Sequence, residues 1–93
     1  MRTIEWTTAF KRDFRREKAG RHGKRLDGLL AGAVTLLAND QPLPASNRDH
    51  ALGGEWNDHR DCHLRPDLVL IYRKHEPDRL QLVRLGSHAE LFE

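Results

Sequence analysis

Three strand-like runs, HRDCHL (59–64), LVLIYRK (68–74) and LQLVRLG (80–86), follow one another with only RPD and HEPDR between them. Links this short favour antiparallel hairpins over any crossover connection. The first half of the chain has a different period. Leu26, Leu29, Leu30, Ala33, Val34 and Leu37 recur at the i, i+3, i+4, i+7 spacing of a buried helical stripe, which predicts a helix from Lys24 to Ala38. Before it, Phe10 and Phe14 lie one turn apart among Lys and Arg, behind a threonine N-cap candidate, and RTIEW reads as a first strand. Gly20 and Gly23 fall between the helices, where a positive φ would end one and reverse the chain. Gly28 and Gly32 weaken the second helix and suggest a close backbone approach to its neighbour. The order strand, helix, helix, strand, strand, strand describes an α+β domain. An N-terminal strand and a helical hairpin pack on a mostly antiparallel four-stranded sheet, and SHAELFE forms a short C-terminal helix or turn.

A chain of 93 residues supports one modest core, so a single domain over residues 1–93 is expected. No apolar run is long enough to cross a bilayer and no leader-like segment stands at the start, which points to a cytoplasmic protein without a membrane partner. The lone Cys62 reads as a small buried filler. Charge is unevenly divided. Residues 1–39 hold nine Lys/Arg against four Asp/Glu, whereas residues 40–93 hold seven against ten. Lys11, Arg12, Arg15, Arg16, Arg21, Lys24 and Arg25 would make a positive surface for phosphates or an acidic protein. A solvated helix face accounts for the same residues, and both readings stay open.

The segment RDHALGGEWNDHRDCHLRPDLVLIY (48–72) concentrates three histidines, four aspartates and three arginines. On a strand, His59, Asp61 and His63 share one face, with Arg60 and Cys62 on the other. Zinc is poorly served there, because no cysteine pair or helical histidine motif accompanies them. Imidazoles, carboxylates and arginines without a metal suit RNA transesterification. One group takes the 2′-hydroxyl proton, another protonates the departing 5′-oxygen, and cations meet the charge developing on phosphorus. His22 and His75, in polar turns, read as structural or surface imidazoles. An ion pair between Arg60 and Asp61 is as good a reading as catalysis.

The words DHALGGEW, RDCHLRPDLVLIY and LVRLGSHAELF resemble the YafQ branch of the RelE/ParE toxin superfamily. The resemblance implies a RelE-like fold and a type II toxin–antitoxin toxin. Its activity would be that of a ribosome-dependent endoribonuclease, cutting mRNA in the A site of the 70S ribosome without metal or cofactor and so inhibiting translation. A cognate DinJ-like antitoxin would hold it in a hetero-oligomeric complex. Carried over by position, the catalytic residues are His50, His63, Asp67 and His88, with His88 the leading general acid, while Arg84 and Phe92 would bind substrate; Asp61, from the strand face above, is counted with them as substrate-binding. Leu68 stands where a relative can carry tryptophan, which leaves Phe92 to stack on a base. Phe92 as a C-terminal staple and Asp67 as a turn cap are the bland readings. The alternative function is that of a ParE-like toxin that binds and poisons DNA gyrase, which would have no use for several imidazoles around one cleft.

Overall fold

The computed structural model describes residues 1–93. In chain order it contains β1 (Thr3–Trp6), α1 (Thr8–Lys18), α2 (Gly23–Ala38), β2 (His50–Ala51), β3 (Arg60–Arg65), β4 (Leu68–His75), β5 (Arg79–Gly86) and α3 (His88–Phe92). The sheet runs β1-β5-β4-β3-β2, with β1 parallel to β5 and every other pair antiparallel. It has five strands where four are expected. The added one, β2, is only two residues long, too short for any periodicity to mark.

The helices form where the stripe predicts. Thr7 caps α1, its Oγ1 accepting the Phe10 amide at 3.0 Å while its hydroxyl donates to the Val83 carbonyl at 2.9 Å. Phe10 and the Leu26, Leu30, Ala33, Val34, Leu37 stripe of α2 press on Cys62, Leu64, Leu68, Leu70, Tyr72, Leu80, Leu82 and Leu85. Each fully buried leucine there contributes about 1.5–3 kcal/mol relative to exposure. Leu68 is thus core and unavailable for stacking. A smaller cluster on the opposite sheet face joins Val69, Ile71 and Leu91, with Leu52, Trp56, Val83 and Phe92 packed against it. That second face carries the site.

Two glycine expectations are corrected. Neither Gly20 nor Gly23 has a positive φ. Gly23 is required for space instead, because a Cβ there would lie 2.1 Å from the Lys18 carbonyl oxygen. Gly28 and Gly32 meet nothing within 4 Å, since α2 contacts the sheet through its leucine stripe and both glycines lie off it. No helix is long and apolar enough to cross a membrane.

Where β1 ends, α1 takes over the edge of β5. The Thr7 amide donates to the Leu82 carbonyl at 3.1 Å, closing the β1 pairing. Three residues further along β5, the carboxylate of fully buried Asp13 accepts the Leu85 amide at 3.0 Å, and Arg16 donates to the Leu85 carbonyl at 2.8 Å. Side chains thereby satisfy backbone groups that a longer β1 would have paired.

Candidate active site

Alternation along β3 sends Cys62 and Leu64 into the helix-side core and leaves Asp61 and His63 on the other side. Asp61 is 2% exposed. His50 sits directly opposite it in the β2–β3 register, its Nδ1 3.1 Å from Asp61 Oδ1 and 2.8 Å from the Arg48 carbonyl. The carbonyl is the better-aligned partner, and Asp61 Oδ1 is left without a hydrogen bond. Burial raises the Asp61 carboxyl above its ordinary value, and the charges of His50, His63 and His88 each pull it back. His50 thus lies against one buried carboxylate, and His63 and His88 are near enough to act on its charge.

Backbone contacts set the tautomers. A carbonyl only accepts, so His50 Nδ1 carries the hydrogen toward Arg48, and His63 Nδ1 does so toward the Pro66 carbonyl at 3.3 Å. Both rings then present a basic Nε2 when neutral. His88 opens α3 just after the cap Ser87, which forms a capping box with Glu90. Its ring lies 4.7 Å from that of Phe92, which meets Trp56 at 6.2 Å. Phe92 both anchors the C-terminus on the Val69–Ile71 cluster and lies beside the histidines, so the staple and stacking readings are compatible. Cys62 is buried with its thiol pushed up to about 12, as suits a filler.

Other expectations change. His59 precedes β3, bonding the Asn57 carbonyl at 3.0 Å and packing edge-on against Trp56, so it does not share the face of Asp61 and His63. A turn through Asp58, at φ 68, delivers it there. Arg60 does not pair with Asp61. It lies across the strand and donates to Asp49 at 3.2 Å, and Asp49 also accepts the Tyr72 hydroxyl at 2.5 Å. Asp67 turns its carboxylate away from the histidines, pairing with Arg21 and with His22 Nε2 at 3.2 Å, so it ties the β3–β4 turn to the α1–α2 turn. His75 accepts from Arg73 at 2.8 Å, remote from the cluster. Arg84 stands opposite Ile71 on the site face, but its guanidinium is held by Asp13, Nε at 2.6 Å and Nη2 at 3.3 Å.

The basic helices divide in two. Arg16 is bound to Asp13, Glu17 and Glu90, and Arg21 to Asp67. Lys11, Arg12, Arg15, Lys24 and Arg25 are exposed without a carboxylate partner and form the true positive surface. Sequence reasoning missed Trp56, whose signal was an aromatic flanked by Gly53, Gly54 and His59. It also missed Asp13, which looks in sequence like one more charge on a solvated helix.

The chain matches the family described as "Bacterial toxin of type II toxin-antitoxin system, YafQ" over residues 2–93. It is 36% identical over 91 residues to the mRNA interferase toxin YafQ of Escherichia coli K12, covering 98% of this chain and 96% of that one. Against a YafQ toxin of Haemophilus influenzae it is 44% identical over 75 residues, 72% of this chain and 74% of the relative. The toxin in the crystal structure of the E. coli DinJ–YafQ complex superposes with a TM-score of 0.81 at 34% identity, covering 100% of both chains.

Proposed function

The chain belongs to the YafQ family of bacterial type II toxin–antitoxin toxins, the mRNA interferases, and from that membership we propose how its residues cut mRNA on the ribosome. The observation that supports the reading is the gathering of His50, His63 and His88 around buried Asp61. His50 or His63, through a free Nε2, takes the proton of a 2′-hydroxyl. The resulting oxygen attacks phosphorus, a cyclic phosphate forms, and the 5′-oxygen leaves with a proton from His88. Asp61 faces His50 across the β2–β3 pair and helps to orient it. Phe92 and Trp56 offer faces to an unpaired base. Arg84 would meet the scissile phosphate by turning part of its guanidinium from Asp13, and Asp67 would join the acid–base work only by leaving Arg21 and His22. The three-histidine assignment needs neither movement.

Catalysis should depend on the ribosome, because the cluster is open and offers little to orient a free strand. Purified protein should cut mRNA on programmed 70S ribosomes with chelator present and leave naked mRNA intact. Efficient cutting of naked RNA, or loss of cutting when transition metals are chelated with Mg2+ held constant, would overturn the mechanism. The site of action would then be the cytoplasm, where ribosomes translate.

A DinJ-like antitoxin would be the inhibitory partner in a hetero-oligomeric complex. A hollow of about 600 Å³ between β1 and α1 is lined by Trp6, Phe14 and Ala19 and edged by Lys11, Arg15 and Lys18. Trp6 there is 39% exposed. An antitoxin segment placing an apolar side chain between carboxylates complements it. Reversing Lys11 and Arg15 to Glu should weaken antitoxin binding at least tenfold and flatten its salt dependence, measured by titration at several ionic strengths. Arg16 must be spared, since its reversal would break the Asp13 and Glu90 contacts. Unchanged affinity would move the antitoxin elsewhere.

A further inference from the structure

A second hollow, of about 240 Å³, opens beside His63 and is lined by Ser46, Asn47, Arg48, Arg65 and Pro66. Neither Arg48 nor Arg65 has a carboxylate or any other side-chain partner; Arg2, Arg16, Arg21, Arg60, Arg79 and Arg84 do, and the other arginines without a carboxylate on α1 and α2, Arg12, Arg15 and Arg25, lie away from this hollow. Two uncompensated guanidiniums facing one concavity repel each other and are tolerated only where solvent or an anion answers them.

The local backbone is built to hold this arrangement. Arg48 adopts φ 48, ψ 44, a left-handed conformation uncommon for a non-glycine residue. That geometry lets its carbonyl accept from His50 Nδ1 at 2.8 Å while its side chain lines the hollow at His63. The Asn47 side-chain amide donates through Nδ2 to the His63 carbonyl at 2.8 Å and pins the loop to β3. A register shift between His63 and Arg65 interrupts the β3–β4 ladder beside the same hollow. Backbone strain and a bulge thus coincide at two unpaired arginines, between two imidazoles of the site.

We infer that Arg48 and Arg65 form a phosphate subsite beside His63, holding the mRNA backbone phosphate adjacent to the scissile one. This rests on the nuclease reading above and adds a substrate contact to it. Arginine suits the task, because its fork of donors matches phosphate oxygens and its charge is permanent. Fixing the neighbouring phosphate would hold the reacting 2′-hydroxyl in register with the histidine bases.

The test uses programmed ribosomes and mRNAs bearing one uncharged methylphosphonate linkage immediately 5′ or 3′ of the cut. Arg48→Asn keeps a residue that tolerates the left-handed conformation, and Arg65→Gln keeps length and polarity. Each should raise the half-saturating ribosome concentration roughly 10- to 100-fold, more than it lowers turnover, as expected for losing hydrogen bonds to a charged group. Each should also reduce the log–log salt slope by about 0.7. One neutral linkage should impair the wild type and cost the double variant nothing further. Unchanged half-saturation in both variants would overturn the subsite. Impaired variants with no effect of either neutral linkage would assign the phosphate to ribosomal RNA and equally overturn it. If a variant fails to fold, as thermal melting would report, the neutral linkages on wild-type protein decide alone. A wild type that cuts no ribosome-bound mRNA would instead refute the nuclease reading.

Discussion

His88→Ala should lower cleavage of ribosome-bound mRNA by roughly 100- to 10,000-fold, the usual cost of losing a general acid, while the protein folds and binds ribosomes and antitoxin as before. The fold should survive because nothing that builds α3 depends on the imidazole. Ser87 and Glu90 supply the capping box, buried Leu91 supplies the anchor, and His88 makes no side-chain hydrogen bond. Gly86 lets this corner close, since a Cβ there would come within 2.9 Å of an Arg16 nitrogen. The chemical argument is one of placement. His50 and His63 fix their Nδ1 hydrogens on carbonyls and present Nε2 as bases, which leaves His88 as the imidazole not so committed. His75→Ala, remote from the cluster and held by Arg73, is the matched control and should change little. Near wild-type cleavage by His88→Ala would pass the acid role to His50 or His63.

The fold was legible where one period ruled a long segment. The leucine stripe of α2 and the apolar runs of β4 and β5 each commit one face to a core, and the short links between strands leave little choice of direction. What escaped was decided by single backbone turns. β2 exists because Arg48 takes a left-handed conformation and lays His50 against Asp61, and nothing in the word RDHA signals that. His59 left the expected face because β3 starts one residue later than HRDCHL suggests, after the positive φ of Asp58.

The candidate site divides along the same line. His50 and Asp61 meet because β2 pairs with β3, His63 follows on the same face of β3, and the turn after β5 brings His88 near enough to act on the Asp61 charge; the resemblance pointed to the three histidines and alternation along the strand to Asp61. Asp67 and Arg84 show the limit. Each sits where sequence position suggests, yet each spends its charge on a tertiary partner, Arg21 or Asp13, that lies far away in the chain. Charge alternation along α1 cannot distinguish Asp13, which is buried, from Glu17, which lies one turn on.

Asp13→Asn should destabilise the protein by about 3 kcal/mol, toward the low end for breaking a buried ion pair because both arginine partners reach water. The wild-type carboxylate takes Arg84 at 2.6 Å, Arg16 at 3.1 Å and the Leu85 amide at 3.0 Å. The single asparagine oxygen can keep Arg84 Nε and the Leu85 amide, but its NH2 then faces the Arg16 and Arg84 guanidinium nitrogens that the other carboxylate oxygen accepted, and the two arginines are left without the charge that holds them together beside the open edge of β5. A loss of that size corresponds to a fall in melting temperature of roughly 12–24 °C in a domain of this length. Burial raises the Asp13 carboxyl, but Arg84, the Leu85 amide and Arg16 outweigh it, so the folded value lies below the ordinary 3.8. A carboxyl lowered on folding contributes stability that is present above its unfolded value and lost as pH falls through the folded one. Urea unfolding should therefore show the two proteins converging as acid protonates Asp13, with the gap fully open above about pH 5. Asp40, held down to about 2 by Lys74 and Arg2, and Glu90, lowered by Ser87 and Arg16, add to the acid slope of both proteins and cancel in the difference. A gap below about 1 kcal/mol at neutral pH would mean a surface-like pair. A gap that persists undiminished in acid would mean that the asparagine harms packing rather than charge. Either result would remove Asp13 as the residue that fastens α1 to β5, and with it the reason for Arg84 to be turned from the scissile phosphate.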